Sequence, residues 1–348
     1  MKILVTGVLG QDGANMVEYL LEKTQAEIFG VIRRSSNPNF VNCKNFVSDK
    51  RFKFIYGDLS DGVSIDNIVK EVQPDYFINF AAQSFVGCSW EMPLQTFDTN
   101  ATGVARCLEA IRKHKAKCRF YSAGSSEEFG DVVQTPQTIE HPLRPRSPYG
   151  ASKAAARHIV KVYRESYNLY AVHGILFNHE GTKRGEEFVT RKITKGVARI
   201  KKAIESKNSF APIELGNLDA KRDWSDSEDF VDGVWKMLNR ETPKDYVLSS
   251  NETHSIREFV ELAFKFAGID GVWHGHGLSE EFSATTEYVN KNSLASSTLI
   301  KINPKFYRPA EVDLLLGDST PAREELKWSP KVSFVELVEK MVLNDLSS

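Results

Sequence analysis

Tyr149 and Lys153 stand four residues apart in "YGASK", a spacing that puts both side chains on one face of a helix. A lysine beside a tyrosine hydroxyl favours the phenolate, lowering a pKa that starts at about 10. Such a phenol can exchange a proton with a substrate hydroxyl while a nicotinamide exchanges the hydride, and the lysine can hold the nicotinamide ribose. The same spacing also occurs in ordinary surface helices, so the pair takes its meaning from its surroundings. Upstream, "YSAGSSEEFG" from Tyr121 to Gly130 sets Ser125, Ser126, Glu127 and Glu128 side by side after an apolar run. Taken alone, this is either a solvated acidic loop or a source of acid/base groups.

A third cluster lies at the start of the chain. "VTGVLGQDG" places Gly7, Gly10 and Gly13 directly after a strand-like run. The first glycine allows a tight turn, the second lets a pyrophosphate approach the backbone, and the third allows close helix–strand packing. The following helix N-terminus offers N–H groups and a positive dipole end to the phosphates. The next strand ends in "VIRRSS". Arg33 and Arg34 stand where an NAD site would carry a carboxylate, and a guanidinium suits a 2′-phosphate, so NADP is the expected cofactor. Two solvated arginines at a strand end are the alternative. "GDLSD" puts Asp58 and Leu59 where an adenine could be met, and "NFAAQS" supplies small Ala81 and Ala82, then polar Gln83 and Ser84.

The elements that must position these groups alternate. "KILVT" (2–6), "IFGVI" (28–32), "FKFIYG" (52–57), "YFINFA" (76–81), "RFYSA" (119–123) and "YAVHGILF" (170–177) read as strands, with helical patterns between most of them, such as Gln11–Leu21 and Thr99–Arg112. Strands apolar on both faces and joined by helices predict an α/β fold with a doubly wound parallel Rossmann sheet. After Asn178 the alternation loosens into a smaller mixed α/β part. The expected organisation is 1–177 for the dinucleotide, with later segments returning to it, and 178–348 mainly for substrate. A chain of 348 residues with 41% hydrophobic and 26% charged residues has ample material for such a core. Its formal net charge of −1 gives no general attraction to nucleic acid or anionic membrane, so any anion site must be local. Neither a secretory leader nor a membrane span is visible, and the scattered Cys43, Cys88, Cys107 and Cys118 form no metal or disulfide pattern, which points to the cytoplasm. His274 and His276 in "WHGHG" lack further ligands at metal spacing, so no metal is expected.

With the glycine fingerprint upstream and Ser125 at the end of the preceding strand, the tyrosine–lysine pair resembles the extended short-chain dehydrogenase/reductase superfamily. Within it, "YGDLSD", "NFAAQSFV", "PRSPYGASK", "NHEGTKRGEEFVTRKI", "LGNLDAKRDW" and "FYRPAEVDLLLGD" resemble the GDP-mannose 4,6-dehydratase family over nearly the whole chain. The resemblance implies a substrate-oriented hydroxyl at Ser125, a general base at Glu127, and Tyr149 with Lys153 as the redox pair. It implies further cofactor contacts at Gln11, Asp12, Phe80, His179 and Arg184. For the sugar nucleotide it implies Ser84, Asn178, Val189 and Lys192, Arg222 and Arg308 for the diphosphate, and Glu311 for guanine or ribose. A surface salt bridge is the plain alternative for Arg222. The reaction implied is loss of water from GDP-mannose with internal hydride transfer from C4 to C6. A homodimer or homotetramer is implied too.

The chain departs from the family in places. The family loop reads approximately Ser-Thr-Ser-Glu, against Gly124-Ser125-Ser126-Glu127 here. Phe85 replaces a histidine, Gln95 lies where a tyrosine is common, and "NPNFVNCKNF" does not follow the pattern. Glu128 falls at a position usually apolar in the family and is expected to face water. Thymidine-sugar dehydratases carry Asp where Ser126 stands, which leaves Glu127 or water to protonate the departing C6 oxygen. A nucleotide-sugar reductase or epimerase, or a non-catalytic NADP sensor, are the competing readings. Glu127 argues against the first, and intact Ser125, Tyr149 and Lys153 argue against the second.

Overall fold

Seven parallel strands form the frame that carries the fingerprint and the tyrosine–lysine pair: β1 (Lys2–Thr6), β2 (Glu27–Ile32), β3 (Phe52–Tyr56), β4 (Tyr76–Asn79), β5 (Arg119–Ala123), β6 (Ala171–Leu176) and, from much later, β11 (Tyr246–Leu248). The computed structural model describes residues 1–294, 296–307 and 314–348. The sheet runs β11-β6-β5-β4-β1-β2-β3, so strand order reverses between β1 and β4. That reversal opens a crevice beyond the strand ends, where ligands of such sheets bind.

Both faces are covered, as the doubly apolar strands require. Ile3 and Val5 point to a core shared with Met16, Val17 and Leu20 of α1 (Gln11–Lys23), Phe230 and Val234 of α8 (Ser227–Leu238), and Trp328 beyond α11 (Thr320–Leu326). Leu4, one residue out of phase, joins Phe77 and Phe120 against α2 (Gly62–Val72), α5 (Gly103–His114) and α6 (Pro148–Tyr167). Each such fully buried side chain contributes about 1.5–3 kcal/mol. The expected helix over Thr99–Arg112 starts later than predicted. Two short helices, α3 (Val86–Glu91) and α4 (Pro93–Phe97), and a wide turn at Asp98–Thr102 precede α5. Pro93 explains the break, since it cannot continue α3 but suits the first turn of α4.

The remaining chain builds a second layer with its own core. Strands β8 (Ile213–Leu215), β13 (Gly271–His274), β14 (Glu281–Ala284) and β15 (Thr298–Ile302) make a mixed sheet in the order β13-β14-β15-β8. Helices α7 (Val189–Glu205), α9 (Ile256–Phe266) and α12 (Phe334–Leu346) pack around Val197, Phe259, Phe264 and Met341, and α10 (Thr286–Asn292) lies beside them. Two small ladders complete the set: β7 (Asn178–Glu180) with β10 (Trp224–Asp226), and β9 (Lys221–Arg222) with β12 (His254–Ser255). Asp226 ties the layers, capping α8 through the Glu228 N–H and accepting from Lys340 Nζ at 2.8 Å. Among the described residues no helix is long and apolar enough to cross a membrane.

Candidate active site

α6 presents the pair. Ser147 caps it by accepting from the Gly150 N–H at 3.0 Å, and Pro148 opens it with φ already helical. Tyr149 and Lys153 therefore emerge one above the other. The helix start lies so close to the loop after β5 that a Cβ at Gly150 would come within 2.5 Å of the Glu127 carbonyl oxygen. Helix and loop are thus held as one unit.

That loop turns in a single short 3₁₀ stretch, Ser126–Glu128. The Ser125 hydroxyl accepts from the Glu127 N–H at 3.3 Å and acts on the nearby Tyr149 phenol, lowering its pKa. Lys153 Nζ donates to the Ala123 carbonyl at 2.7 Å and lies 5.8 Å from the centre of the Tyr149 ring. Burial pushes the Tyr149 phenol up to about 12, against the pull of Ser125, while Glu127 and Glu128 push it further up. The lowering expected from Lys153 is not found: the phenol ends above its ordinary value, and the groups acting on it are its burial, Ser125, the two glutamates and Arg184. Burial pushes Lys153 itself down to about 8, against Glu128 and Asp12.

These four residues line one cavity of about 320 Å³ at the ends of β5 and β6, walled on its far side by the second layer. Asp12, Phe80, Ala82 and Ser84 reach it from the crevice side. Asn178, His179, Arg184, Val189, Lys192 and Arg222 reach it from the later segments. His179 Nε2 meets Asp12 Oδ2 at 3.0 Å, and its Nδ1–H donates to the Phe177 carbonyl at 2.7 Å. Burial pushes the imidazole down, but Asp12 more than offsets it and the pKa ends above its ordinary value. Burial likewise pushes Asp12 up, and His179 with Arg184 holds it below the usual carboxylate range. Arg184 meets Glu180 at 3.0 Å and lies over the Phe188 ring at 3.5 Å. Lys192 Nζ sits 3.4 Å over the Phe306 ring. Arg222 is buried and donates to the Lys221 carbonyl at 2.9 Å.

The other expected residues lie outside the cavity wall. Gly7 has φ +72°, and a Cβ there would come 2.8 Å from Ala81 N. Thr6 fixes this meeting of strand ends, donating to Asn79 at 2.6 Å and accepting from the Ala81 N–H at 3.1 Å. A Cβ on Gly13 would strike the Gly7 carbonyl at 2.3 Å, whereas one on Gly10 would meet only that oxygen, at 3.3 Å. The N-terminus of α1 carries no side-chain cap. A Gly10 position crowded by a single carbonyl oxygen, with N–H groups that carry no side-chain cap, fits a dinucleotide pyrophosphate. Asn178 Oδ1, buried and without a hydrogen-bond partner among the described residues, gives the cavity one further polar demand. Gln11 turns inward to Asp12 at 3.0 Å and the His179 carbonyl at 3.1 Å. Arg33 and Arg34 are exposed at the end of β2. Asp58 accepts from Ser60, and Leu59 is buried under α5. The Gln83 amide bonds Thr96 at 3.0 Å and accepts from the Phe85 N–H at 2.7 Å, so it serves its own loop. Arg308 and Glu311 lie outside the described residues.

Two features escaped the sequence. Asn100 bonds both the Gln83 backbone and the Ser152 hydroxyl, locking the loop after β4 to α6, and nothing in the pattern marks it. Glu128 does not face water. It is fully buried and meets His173 Nε2 at 2.9 Å. The one sequence sign was a carboxylate at a usually apolar position; its partner lies 45 residues away.

Comparison with known proteins adds an independent line. The model of the family described as GDP-mannose 4,6 dehydratase matches residues 4–341. The chain is 45% identical to the GDP-mannose 4,6 dehydratase of Drosophila melanogaster, over 99% of this chain and 85% of that protein. It is 42% identical to GDP-mannose 4,6 dehydratase 1 of Arabidopsis thaliana, over 99% of this chain and 89% of that one. Among solved structures, DesIV, a dTDP-glucose 4,6-dehydratase from Streptomyces venezuelae with NAD and TYD bound, superposes with a TM-score of 0.80 at 21% identity, over 99% and 96% of the two chains. That likeness speaks for the fold alone.

Proposed function

The chain belongs to the GDP-mannose 4,6-dehydratase family, and from that premise we propose that it is a hydro-lyase converting GDP-D-mannose to GDP-4-dehydro-6-deoxy-D-mannose and water. The observation that carries this reading is the convergence of Ser125, Glu127, Tyr149 and Lys153 on one cavity. A reductase has use for a hydroxyl, a phenol and an ammonium; a carboxylate among them suits removal of a carbon-bound proton.

When bound, the nicotinamide supplies hydride exchange, accepting at C4 and returning the hydride at C6. The chain's own residues handle protons and position. Tyr149 takes the proton of the C4 hydroxyl, with the neighbouring Ser125 hydroxyl orienting that oxygen. The resulting ketone acidifies C5, and Glu127 removes that proton; a positioned base of this kind contributes about 10²–10⁴ in rate. Glu127 or water protonates the departing C6 oxygen, since the Ser126 hydroxyl is a poor acid, and C5 regains a proton of solvent origin as the hydride returns to C6. Lys153 holds the ribose, and Gly7, Gly10, Asp12, Gly13, Phe80, Ala81, Ala82, His179 and Arg184 form the rest of the cofactor's bed. NADP is preferred because Arg33 and Arg34 suit a 2′-phosphate. Asn178, Val189 and Lys192 meet the sugar nucleotide, with Arg222 for its diphosphate. In this reading residues 1–177 mainly carry the cofactor and 178–348 mainly the substrate. Homodimer or homotetramer formation rests on the resemblance, and four free thiols suit a reducing cytoplasm.

The test is turnover of GDP-mannose with trace NADP in D₂O, beside a panel of other nucleotide sugars. The protein yields a 4-keto sugar deuterated at C5 without added reductant, and Glu127→Gln leaves C5 unlabelled. Conversion of a different sugar with GDP-mannose untouched overturns the reading.

A further inference from the structure

Glu128 stands where the reaction itself gives it no task, yet its surroundings are built in detail. Both its side chain and that of His173 have 0% exposure. Glu128 Oε1 accepts from the Ser125 backbone N–H at 2.8 Å and meets His173 Nε2 at 2.9 Å, which makes Nε2 the protonated nitrogen. The second carboxylate oxygen and His173 Nδ1 have no hydrogen-bond partner among the described residues. A buried carboxylate is costly unless paired, so the two side chains depend on each other. His173 is anchored in turn. Its backbone N–H donates to Asp245 Oδ1 at 2.7 Å, and Asp245 accepts two bonds from Arg164 of α6 at 2.7 and 3.0 Å.

The loop is therefore held at two neighbouring points. Lys153 takes the Ala123 carbonyl, and Glu128 takes the Ser125 N–H. Gly124 lies between them with no room for a side chain. A Cβ there would come 2.3 Å from His173 Nε2 and 2.7 Å from both Glu128 Oε1 and the Gly174 carbonyl. Gly124 and the buried pair are thus linked: the space a residue-124 side chain would need is filled by Glu128 and His173.

Resting on the dehydratase reading, we propose that Glu128 and His173 are positioning residues: Glu128 clamps the Ser125 backbone, His173 braces Glu128, and together they aim Ser125 and Glu127 into the cavity. The carboxylate also acts at a distance, adding to the rise that burial gives the Tyr149 phenol and opposing the larger fall that burial gives the Lys153 ammonium.

The experiment compares wild type, Glu128→Gln, Glu128→Leu, His173→Ala and the Glu128→Leu/His173→Ala double variant. Two readouts are taken: steady-state kinetics on GDP-mannose, and amide hydrogen exchange of the 121–130 segment without sugar. Glutamine keeps an acceptor for both N–H donors, so Glu128→Gln stays within about three-fold of wild-type kcat. Leucine has none, and kcat falls about 10–100-fold with KM and NADP affinity nearly unchanged. His173→Ala falls similarly, and the double variant falls no further, because the pair acts as one unit. Exchange at the Ser125 amide quickens about ten-fold in Glu128→Leu and His173→Ala but not in Glu128→Gln. Wild-type kcat and exchange in Glu128→Leu, additive losses in the double variant, or Glu128→Gln as impaired as Glu128→Leu would each overturn the proposal. Should Glu128→Leu not fold, His173→Ala against Glu128→Gln reads the same linkage. Wild type inert toward GDP-mannose sinks the functional reading instead, and the exchange readout still decides the positioning.

Discussion

At the scale of single residues, the site holds charges in states that cost stability. Lys153 is 6% exposed, and burial lowers its pKa from 10.5 to about 8. The sign follows from linkage. Below pH 8 both folded and unfolded chains carry the ammonium, so the full cost of burying it applies. Between pH 8 and 10.5 the folded chain sheds the proton first, and the cost declines. Each pKa unit corresponds to about 1.4 kcal/mol, and removing the lysine also forfeits its bond to the Ala123 carbonyl. Lys153→Met is therefore expected to raise the stability of cofactor-free protein at pH 7 by about 1–2 kcal/mol, while abolishing turnover. Urea unfolding at pH 7 and pH 9.5 checks this. The gain should shrink at the higher pH; a variant less stable at pH 7, or a gain that grows with pH, contradicts it. The placement of Lys153 beside Tyr149 was legible because Tyr-x-x-x-Lys is a local signal. Its depressed pKa was not, because burial is set by β5 and the loop behind it.

At the scale of elements, the site depends on how closely helix and loop meet. Gly150 is required by the 2.5 Å that would separate its Cβ from the Glu127 carbonyl. Gly150→Ala is expected to push the α6 start away from the loop, costing about 1–3 kcal/mol and about 10²-fold in kcat. Gly62→Ala at the start of α2 is the control, since its Cβ would meet only the Arg106 side chain, 3.6 Å away. Thermal melting with kinetics on both variants checks this, and equal kcat for the two would refute it. Strands β1 to β6 were legible to within about a turn's length because their apolar runs are short and bounded by turn residues. The wide turn that opens the Thr99–Arg112 stretch was not, because such a turn keeps the apolar spacing close to helical. Glu128 was misread for a different reason: an acidic residue in a polar string reads as exposed unless a partner is known, and His173 belongs to the next strand.

At the scale of the whole molecule, sheet order decides where chemistry occurs. Reversal between β1 and β4 brings Gly7 against Ala81, so the fingerprint and the "NFAAQS" loop share one crevice. β5 and β6 then carry the Ser125–Glu128 loop and the Asn178–Glu180 strand to the far end of that crevice, where the second layer closes over them. This arrangement was legible in outline from the βα alternation. The return of β11 to the sheet edge was expected only as unspecified later segments, since three residues carry no periodic signal. The crevice also separates two binding tasks. Arg33 and Arg34 sit at the end of β2, on the side of β1 away from the catalytic cavity, and neither lines it. Their replacement should therefore alter cofactor choice without touching the chemistry. Arg33→Ala/Arg34→Ala is expected to weaken NADP binding by about 10–100-fold through loss of charge-assisted bonds, leaving NAD affinity within about two-fold. At saturating cofactor, kcat on GDP-mannose should stay near wild type. Cofactor titration by fluorescence, repeated at two salt concentrations, checks this, because the NADP preference of wild type should narrow as salt screens the guanidinium–phosphate attraction. Equal loss for both cofactors would mean that the arginines serve the fold at this sheet edge and that the 2′-phosphate is met elsewhere.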